Sequence, residues 1–175
     1  GITEWRDLYT DRQLLVHYQY WKSFEELKQE IRDENDEDEA KAILTYPSFA
    51  ADKAIDYNSR MSSWDASTPK ARNSFERHDF GFKWSFAESN LLAEGIGYEW
   101  VLEGVVEAYE EFRELASDEM GETIVTQRDA ANLNNLNSNE VDALVVDPPY
   151  YQNVMYAELS DYFYVWQRKY LSDVY

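Results

Sequence analysis

The sequence contains no cysteine, which excludes disulfides, thiolate nucleophiles and cysteine-ligated zinc. Histidine is nearly as scarce, and with only His17 and His78 no histidine-built metal centre is expected. No apolar run approaches the ~18 residues that mark a membrane-spanning helix. The opening Gly1-Ile2-Thr3-Glu4-Trp5 also has none of the basic or hydrophobic character of a secretory leader. A soluble, cytoplasmic protein without a membrane partner is therefore expected. A starting Met is missing as well, and the chain reads as a piece of a longer polypeptide. Cations are few: 7 Lys and 9 Arg stand against 20 Glu and 15 Asp, a formal charge of −19. That balance excludes a simple basic nucleic-acid-binding module. It is tolerable in molar salt, where the Debye length falls to about 3 Å and surface carboxylates cease to repel, so a halophilic protein is the expectation.

What is present argues for a fold rather than disorder. The 175 residues are 44% hydrophobic and include 6 Trp, 14 Tyr and 8 Phe, whereas disordered acidic chains are poor in aromatics. From Thr10, an N-cap residue type, Leu14, Leu15, Tyr18, Trp21, Phe24, Leu27 and Ile31 recur at threes and fours and predict an amphipathic helix to about Asp33. The like-charged run Asp33 to Glu39 reads as a solvated turn. A second helix is expected from Ala40 to about Asn58, with Ile43, Leu44, Phe49 and Ile55 inward and Pro47 kinking or splitting it.

Tyr57 to Glu88 loses periodicity and gains Ser, Asn, Pro and aromatics, the pattern of a long structured loop. Within it, Arg60 to Trp84 carries five basic residues (Arg60, Lys70, Arg72, Arg77, Lys83) against three acidic ones (Asp65, Glu76, Asp79). It is the segment suited to face phosphate. Tyr98, Val101, Leu102, Val105, Val106, Tyr109, Phe112 and Leu115 then form a helical stripe with glutamates outside it. The period next switches: Thr123-Ile124-Val125-Thr126-Gln127 and Val141-Asp142-Ala143-Leu144-Val145-Val146 read as strands. The second is nearly all apolar, as in a parallel strand covered on both faces. Leu159, Phe163, Trp166 and Tyr170 predict a final helix, about Tyr156 to Leu171, packed on those strands.

Directly after the apolar run stands Asp147-Pro148-Pro149-Tyr150. Ligands of open α/β sheets bind at the carboxyl ends of strands, where this tetrapeptide falls. Each proline drives the preceding residue into extended backbone, which fixes the directions of the Asp147 carboxylate and the Pro148 carbonyl. Two fixed acceptors suit the two N–H donors of an amino group on a planar ring. Tyr150 adds an aromatic face, and base–aromatic stacking contributes roughly 1–3 kcal/mol. The bland reading of the same residues is a double-proline turn with Asp147 as a cap and Tyr150 in the core.

Asp147-Pro148-Pro149-Tyr150 resembles motif IV of the S-adenosylmethionine-dependent amino-methyltransferases. The longer string through Tyr151, Asn153-Val154, Leu159-Ser160-Asp161 and the aromatic run ending at Trp166 resembles the zinc-ribbon-containing adenine-specific DNA methylases. Arg6 to Leu15, Asp56-Tyr57-Asn58-Ser59, Trp64-Asp65, Arg72-Asn73 and Phe75 are similar to further segments of that family in the same order. The resemblance implies methylation of the exocyclic amine of a flipped adenine, with S-adenosylmethionine as cofactor and DNA as partner. Asp147, Pro148, Pro149 and Tyr150 would be catalytic, Asp147 orienting the amine and stabilising developing positive charge without acting as a strong base. Asp129 and Ala130 would lie beside the cofactor adenine, with a capping role as the alternative for Asp129. Tyr151 and Asn153 would meet the substrate, Lys70, Arg72 and Arg77 its phosphates, and Asn58 or Asn73 a base edge.

Gln152 and Met155 depart from the family pattern, which often has Asp and Pro there. The glycine-rich cofactor loop is missing too, because Gly95-Ile96-Gly97 follows no strand. The expected architecture is therefore a helix-rich α/β chain: residues 1–120 form a helical region serving as a target-recognition insertion, and 121–175 form a partial Rossmann-like methyltransferase core. Such a C-terminal portion is expected to bind cofactor weakly, to be inactive without the rest of the methylase, and to self-associate through open strand edges. Two alternatives are an RNA guanine amino-methyltransferase and a non-catalytic protein-interaction module.

Overall fold

The computed structural model describes residues 2–95, 97–116, 121, 123–129, 131–134, 136–137, 139–151 and 153–175. A short 3-10 turn, Trp5–Leu8, leads into helix α1, Asp11–Glu34. Thr10 starts α1 with a capping box: its Oγ1 accepts from the Gln13 amide (3.2 Å), and Gln13 Oε1 accepts from the Thr10 amide (2.8 Å). Helix α2, Glu37–Tyr57, begins two residues after α1 ends. Asp36 Oδ1 accepts from the amides of Asp38 (3.1 Å) and Glu39 (2.9 Å), so part of the acidic run caps a helix and sits at its positive end.

Pro47 does not split α2, which is one element from Glu37 to Tyr57. Neighbouring helices hold the backbone there. The Tyr20 hydroxyl donates to the Pro47 carbonyl (2.8 Å) and Gln167 Nε2 to the Ser48 carbonyl (3.0 Å). These bonds tie the stretch around Pro47 to α1 and α4, while the carbonyl that loses its helical donor to the proline is that of Ile43, four residues back.

A two-stranded antiparallel hairpin follows, β1 (Ser63–Asp65) with β2 (Lys70–Arg72), Trp64 facing Ala71 and Asp65 facing Lys70. Helix α3, Tyr98–Leu115, coincides with the predicted stripe, although its later apolar residues Val106, Tyr109, Phe112 and Leu115 are exposed. Helix α4, Tyr156–Leu171, also forms where the spacing places it. It packs against α1 and α2 rather than on strands. Its Tyr162 and Tyr170 are fully buried with Leu8, Phe24, Leu44 and Ile55 in the main core. Tyr162 is the hub of that core, ringed by Tyr9, Phe75 and Phe163 at centroid distances of 6.1, 4.8 and 5.1 Å. Such aromatic pairs add roughly 0.5–1.5 kcal/mol each beyond the area they bury.

Helix α1 turns inward only part of the stripe its apolar residues mark: Phe24 is buried and Leu14, Trp21 and Ile31 pack against the main core. Leu15, Tyr18 and Leu27 are exposed, while Gln13, His17, Phe24 and Lys28 are buried. Each buried polar group on that face is paired. His17 bonds across the core, and the Lys28 ammonium lies 2.6 Å from Glu25 and 2.8 Å from Asp173. In α2 the buried line is Ala40, Leu44, Ser48, Ala51 and Ile55, with Phe49 outside. Its small residues let α1 and α4 approach closely.

The chain is thus helix-rich with one small antiparallel sheet. Residues 123–127 and 141–146, expected as strands, have no strand pairing among the described residues, and Val125 and Val145 are 90% and 94% exposed. A strand exists only against a neighbour that takes its backbone N–H and C=O groups, and none is adjacent here.

Candidate functional site

Asp147-Pro148-Pro149-Tyr150 lies on the exposed stretch that leads into α4. No hydrogen bond or ion pair engages the Asp147 carboxylate among the described residues, and Tyr150 is 63% exposed. The core position for Tyr150 in the bland reading is therefore not what the structure has. A backbone bond from the Asn153 amide to the Tyr150 carbonyl (3.1 Å) closes a turn and leaves the Tyr151 ring in solvent. Acceptors and aromatic faces are open to a ligand. Gln152 lies outside the described residues.

Asp129 makes a turn. Its Oδ1 accepts from the Ala131 amide (2.9 Å) and its carbonyl from the Asn132 amide (2.9 Å), a local turn with no helix directly after it to cap among the described residues. Ala130 lies outside the described residues, as does Ile96. Gly97 is used for packing: a Cβ there would stand 2.2 Å from the Leu91 carbonyl oxygen, the atom that accepts the Tyr98 amide at 2.8 Å.

The three proposed phosphate ligands differ. Arg72 is engaged by carboxylates, its guanidinium 3.0 Å from Asp65 and 2.6 Å from Glu76. Lys70 and Arg77 are exposed and have no ion pair among the described residues. Asp65 does not neutralise Lys70 although it faces it across the hairpin. Its oxygens take the amides and hydroxyls of Ser67 and Thr68 as well as Arg72, which holds its carboxyl far below the usual range. No hydrogen bond or ion pair among the described residues joins Lys70, Arg72 or Arg77 to Asp147, Tyr150, Tyr151 or Asn153.

Asn58 does not present its side chain to a base edge. It is 1% exposed, and its Oδ1 accepts from Gln13 Nε2 (3.3 Å) and the Ser89 amide (3.0 Å). Asn73 is half-buried.

The roomiest described cavity, about 560 Å³, opens between the end of α2, the hairpin, the segment 87–95 and the start of α3. Tyr57, Trp64 and Trp100 line it, with Lys70 at the hairpin side. Tyr57 and Trp100 meet edge to face at 6.1 Å, and the Lys53 ammonium lies 4.9 Å from the Tyr57 ring centre. Sequence periodicity misses this grouping because Trp100 falls outside the apolar stripe of α3. The hairpin that presents Trp64 has only three-residue strands.

Among the described residues, no cluster of three or more Asp, Glu or His is placed to hold a metal ion, and no helix is long and apolar enough to cross a membrane. Family models, curated proteins and solved structures give no match to this chain.

Proposed function

We propose that this chain carries the acceptor side of an S-adenosylmethionine-dependent methyltransferase that modifies the exocyclic amino group of adenine in DNA. The observation that supports the reading is Asp147-Pro148-Pro149-Tyr150 at the end of the aliphatic run Val141 to Val146, its carboxylate without a partner among the described residues and its aromatic ring exposed. On this reading Asp147 and the Pro148 carbonyl accept the two N–H groups of an extruded adenine, and Tyr150 stacks on its ring. Orienting the amine lone pair in this way is a positioning effect and needs no strong base.

Residues 123–127 and 141–146 belong, on the same reading, to a Rossmann-like sheet whose other strands come from sequence outside this chain. Burying exposed aliphatic side chains there would return roughly 25 cal/mol per Å². Residues 1–120 act as the target-recognition part. On this reading the chain's contribution is confined to the acceptor, and the chain alone binds S-adenosylmethionine weakly, because its sequence has no glycine-rich loop after a strand. The −19 charge fits a solvent of molar salt, where counterion release contributes little and stacking and hydrogen bonds must supply affinity.

The test is transfer of labelled methyl groups to DNA, or to structured RNA, by the longer polypeptide of which this chain is proposed to be a C-terminal portion. Label in adenine of DNA, lost in Asp147→Ala at an unchanged melting temperature, is the expected result. Label confined to RNA overturns the substrate assignment, and unimpaired transfer by Asp147→Ala removes Asp147 from the reaction.

A further inference from the structure

The outer faces of α2 and α3 form an apolar groove that nothing covers among the described residues. The two helices run antiparallel: Ala54 clusters with Tyr98 at one end, and Tyr46 meets Tyr109 edge to face at 5.2 Å further along. Between them a cavity of about 340 Å³ is walled by Tyr46 and Phe49 from α2 and by Val105, Tyr109 and Phe112 from α3. Gly104 lines it too, and a Cβ there would meet nothing within 4 Å, so the groove stays open where a larger residue would fill it. Phe49 and Phe112 are 49% and 62% exposed, and Leu115, at the end of the same stripe, is 80% exposed. Helix α3 thus has the apolar periodicity of a packed helix without the neighbour that such a stripe serves.

Charge narrows the occupant. Helix α3 carries Glu99, Glu103, Glu107, Glu110, Glu111 and Glu114 against Arg113 alone, and none of these glutamates is in an ion pair among the described residues. Glu99, Glu103, Glu107 and Glu111 stand four residues apart in succession, a spacing at which like charges weaken a helix. On α1 and α2 the helix itself supplies relief, Lys22 taking Glu26, Lys28 taking Glu25 and Lys41 taking Glu37 at three or four positions. Helix α3 has no lysine to do the same. Glu107 and Glu111 follow Gly104 and Ala108 of the groove by three residues, so the acidic row reaches the groove's rim.

We infer that this groove takes an amphipathic helix of a partner protein whose apolar stripe is flanked by lysine or arginine. Two helices side by side offer a groove that a third fills with anchors at i, i+3, i+4 and i+7, and cations beside those anchors meet Glu107 and Glu111. The same glutamates turn other occupants away. A second copy of the chain brings −19 against −19, and the phosphates of a nucleic acid or a lipid surface face carboxylates. As salt rises the charge part of the affinity is screened and the apolar part remains. The groove lies outside the methyl-transfer reading and stands whether or not that reading does.

The experiment is fluorescence anisotropy of a labelled synthetic peptide of about five helical turns, with leucines at helical spacing and lysines beside them, titrated with the full chain in about 0.1 M KCl. Phe49→Ala and Phe112→Ala should each weaken binding roughly 5- to 30-fold, as expected for loss of an anchor residue. Gly104→Leu should fill the groove and weaken binding as much, with far-UV circular dichroism confirming the fold of each variant. Replacing Glu107 and Glu111 together by Gln should weaken binding roughly 2- to 5-fold in this buffer and leave it unchanged in about 1 M KCl. A scrambled peptide of the same composition, and one with glutamate in place of lysine, should bind no better than the parent peptide binds Phe112→Ala. Equal binding of the ordered and scrambled peptides would mean adhesion to an acidic surface only and overturns the inference. So does undiminished binding by Phe49→Ala, Phe112→Ala and Gly104→Leu, equal binding of the glutamate peptide, or no binding by the parent chain. A dimer in sedimentation velocity that Phe112→Ala abolishes would give the groove to a second copy and overturns it as well.

Discussion

The imidazole Nδ1 of His17 lies 2.9 Å from the hydroxyl of Tyr98, while Nε2 lies 3.2 Å from the Asn58 carbonyl oxygen. A carbonyl can only accept, so Nε2 carries the proton and donates to it, and Nδ1 accepts from the Tyr98 hydroxyl. Tyr98 also stacks on Tyr20 with centroids 4.1 Å apart and planes 6° from parallel. These two contacts fix the first residue of α3 against the middle of α1. Trp100 and the aromatic cleft inherit their position from that anchor.

Burial lowers the His17 pKa from 6.5 to about 4. A depressed histidine contributes stability that is complete above pH 6.5 and lost as pH falls toward 4, because the unfolded chain takes up the proton first. The loss is on the order of 3 kcal/mol for a shift of this size. Urea unfolding of His17→Gln at pH 7 and pH 4.5, in about 2 M KCl to screen surface carboxylates, should show a shallower loss on acidification than the parent. Equal losses would rule out His17 as the source.

Asp52 works in the opposite direction. Burial raises its pKa from 3.8 to about 7, against the bond it accepts from Gln167 Nε2 at 2.6 Å, and its Oδ1 has no partner among the described residues. A raised carboxyl favours the folded state at low pH, and that benefit is lost as pH rises through 7. Asp52→Asn should therefore raise the melting temperature more at pH 8 than at pH 5. The reverse order in a pair of thermal melts would sink the assignment. Between pH 4 and 6.5 the two buried groups oppose each other, so the parent's profile is flatter than either effect alone.

Two glycines, one at the N-cap of α3 and one inside it, should respond with opposite signs. Gly97→Ala drives a Cβ into the Leu91 carbonyl and should cost about 1–3 kcal/mol, the usual range for overpacking. Gly104, inside α3, has nothing within 4 Å of a Cβ, so Gly104→Ala should stabilise by about 0.5–1 kcal/mol. Denaturant midpoints of the two variants check both signs.

Val145→Asp tests the exposed aliphatic run. Val145 is 94% exposed, so the substitution should leave the melting temperature unchanged while reducing self-association in sedimentation velocity. A fall in melting temperature would mean that Val145 is packed.

Local chemistry was readable in advance and tertiary choice was not. Thr10 and Gln13 mark the start of α1, and the spacing from Tyr98 to Leu115 marks α3, because caps and periodicity are written in adjacent residues. On α1 the apolar spacing locates Leu14, Trp21, Phe24 and Ile31 on the core, but not the burial of Gln13, His17 and Lys28, which pair with Asn58, Tyr98 and Asp173, residues 45 to 145 positions away. Pro47 predicts a kink or a break, yet α2 runs as one element through it, tied there to α1 by Tyr20 and to α4 by Gln167. Val141 to Val146 has the composition of a strand, but composition does not supply a pairing partner. At the candidate site, Asp147-Pro148-Pro149-Tyr150 stood out unaided, whereas the pairing of Arg72 with Asp65 and the meeting of Trp64 with Trp100 in one cleft depend on how the hairpin lands against α3.

Trp166 donates to the Tyr9 hydroxyl at 3.0 Å across 157 positions, so the stretch between α3 and α4 leaves a helical core and returns to the same core. Mechanically, this is a double strap. A body joined by one strand of chain is limited in distance alone, while one joined by an outgoing and a returning strand also resists being turned about the connection. Any element that paired with Val141 to Val146 would thus be tethered to the helices on both sides of that run.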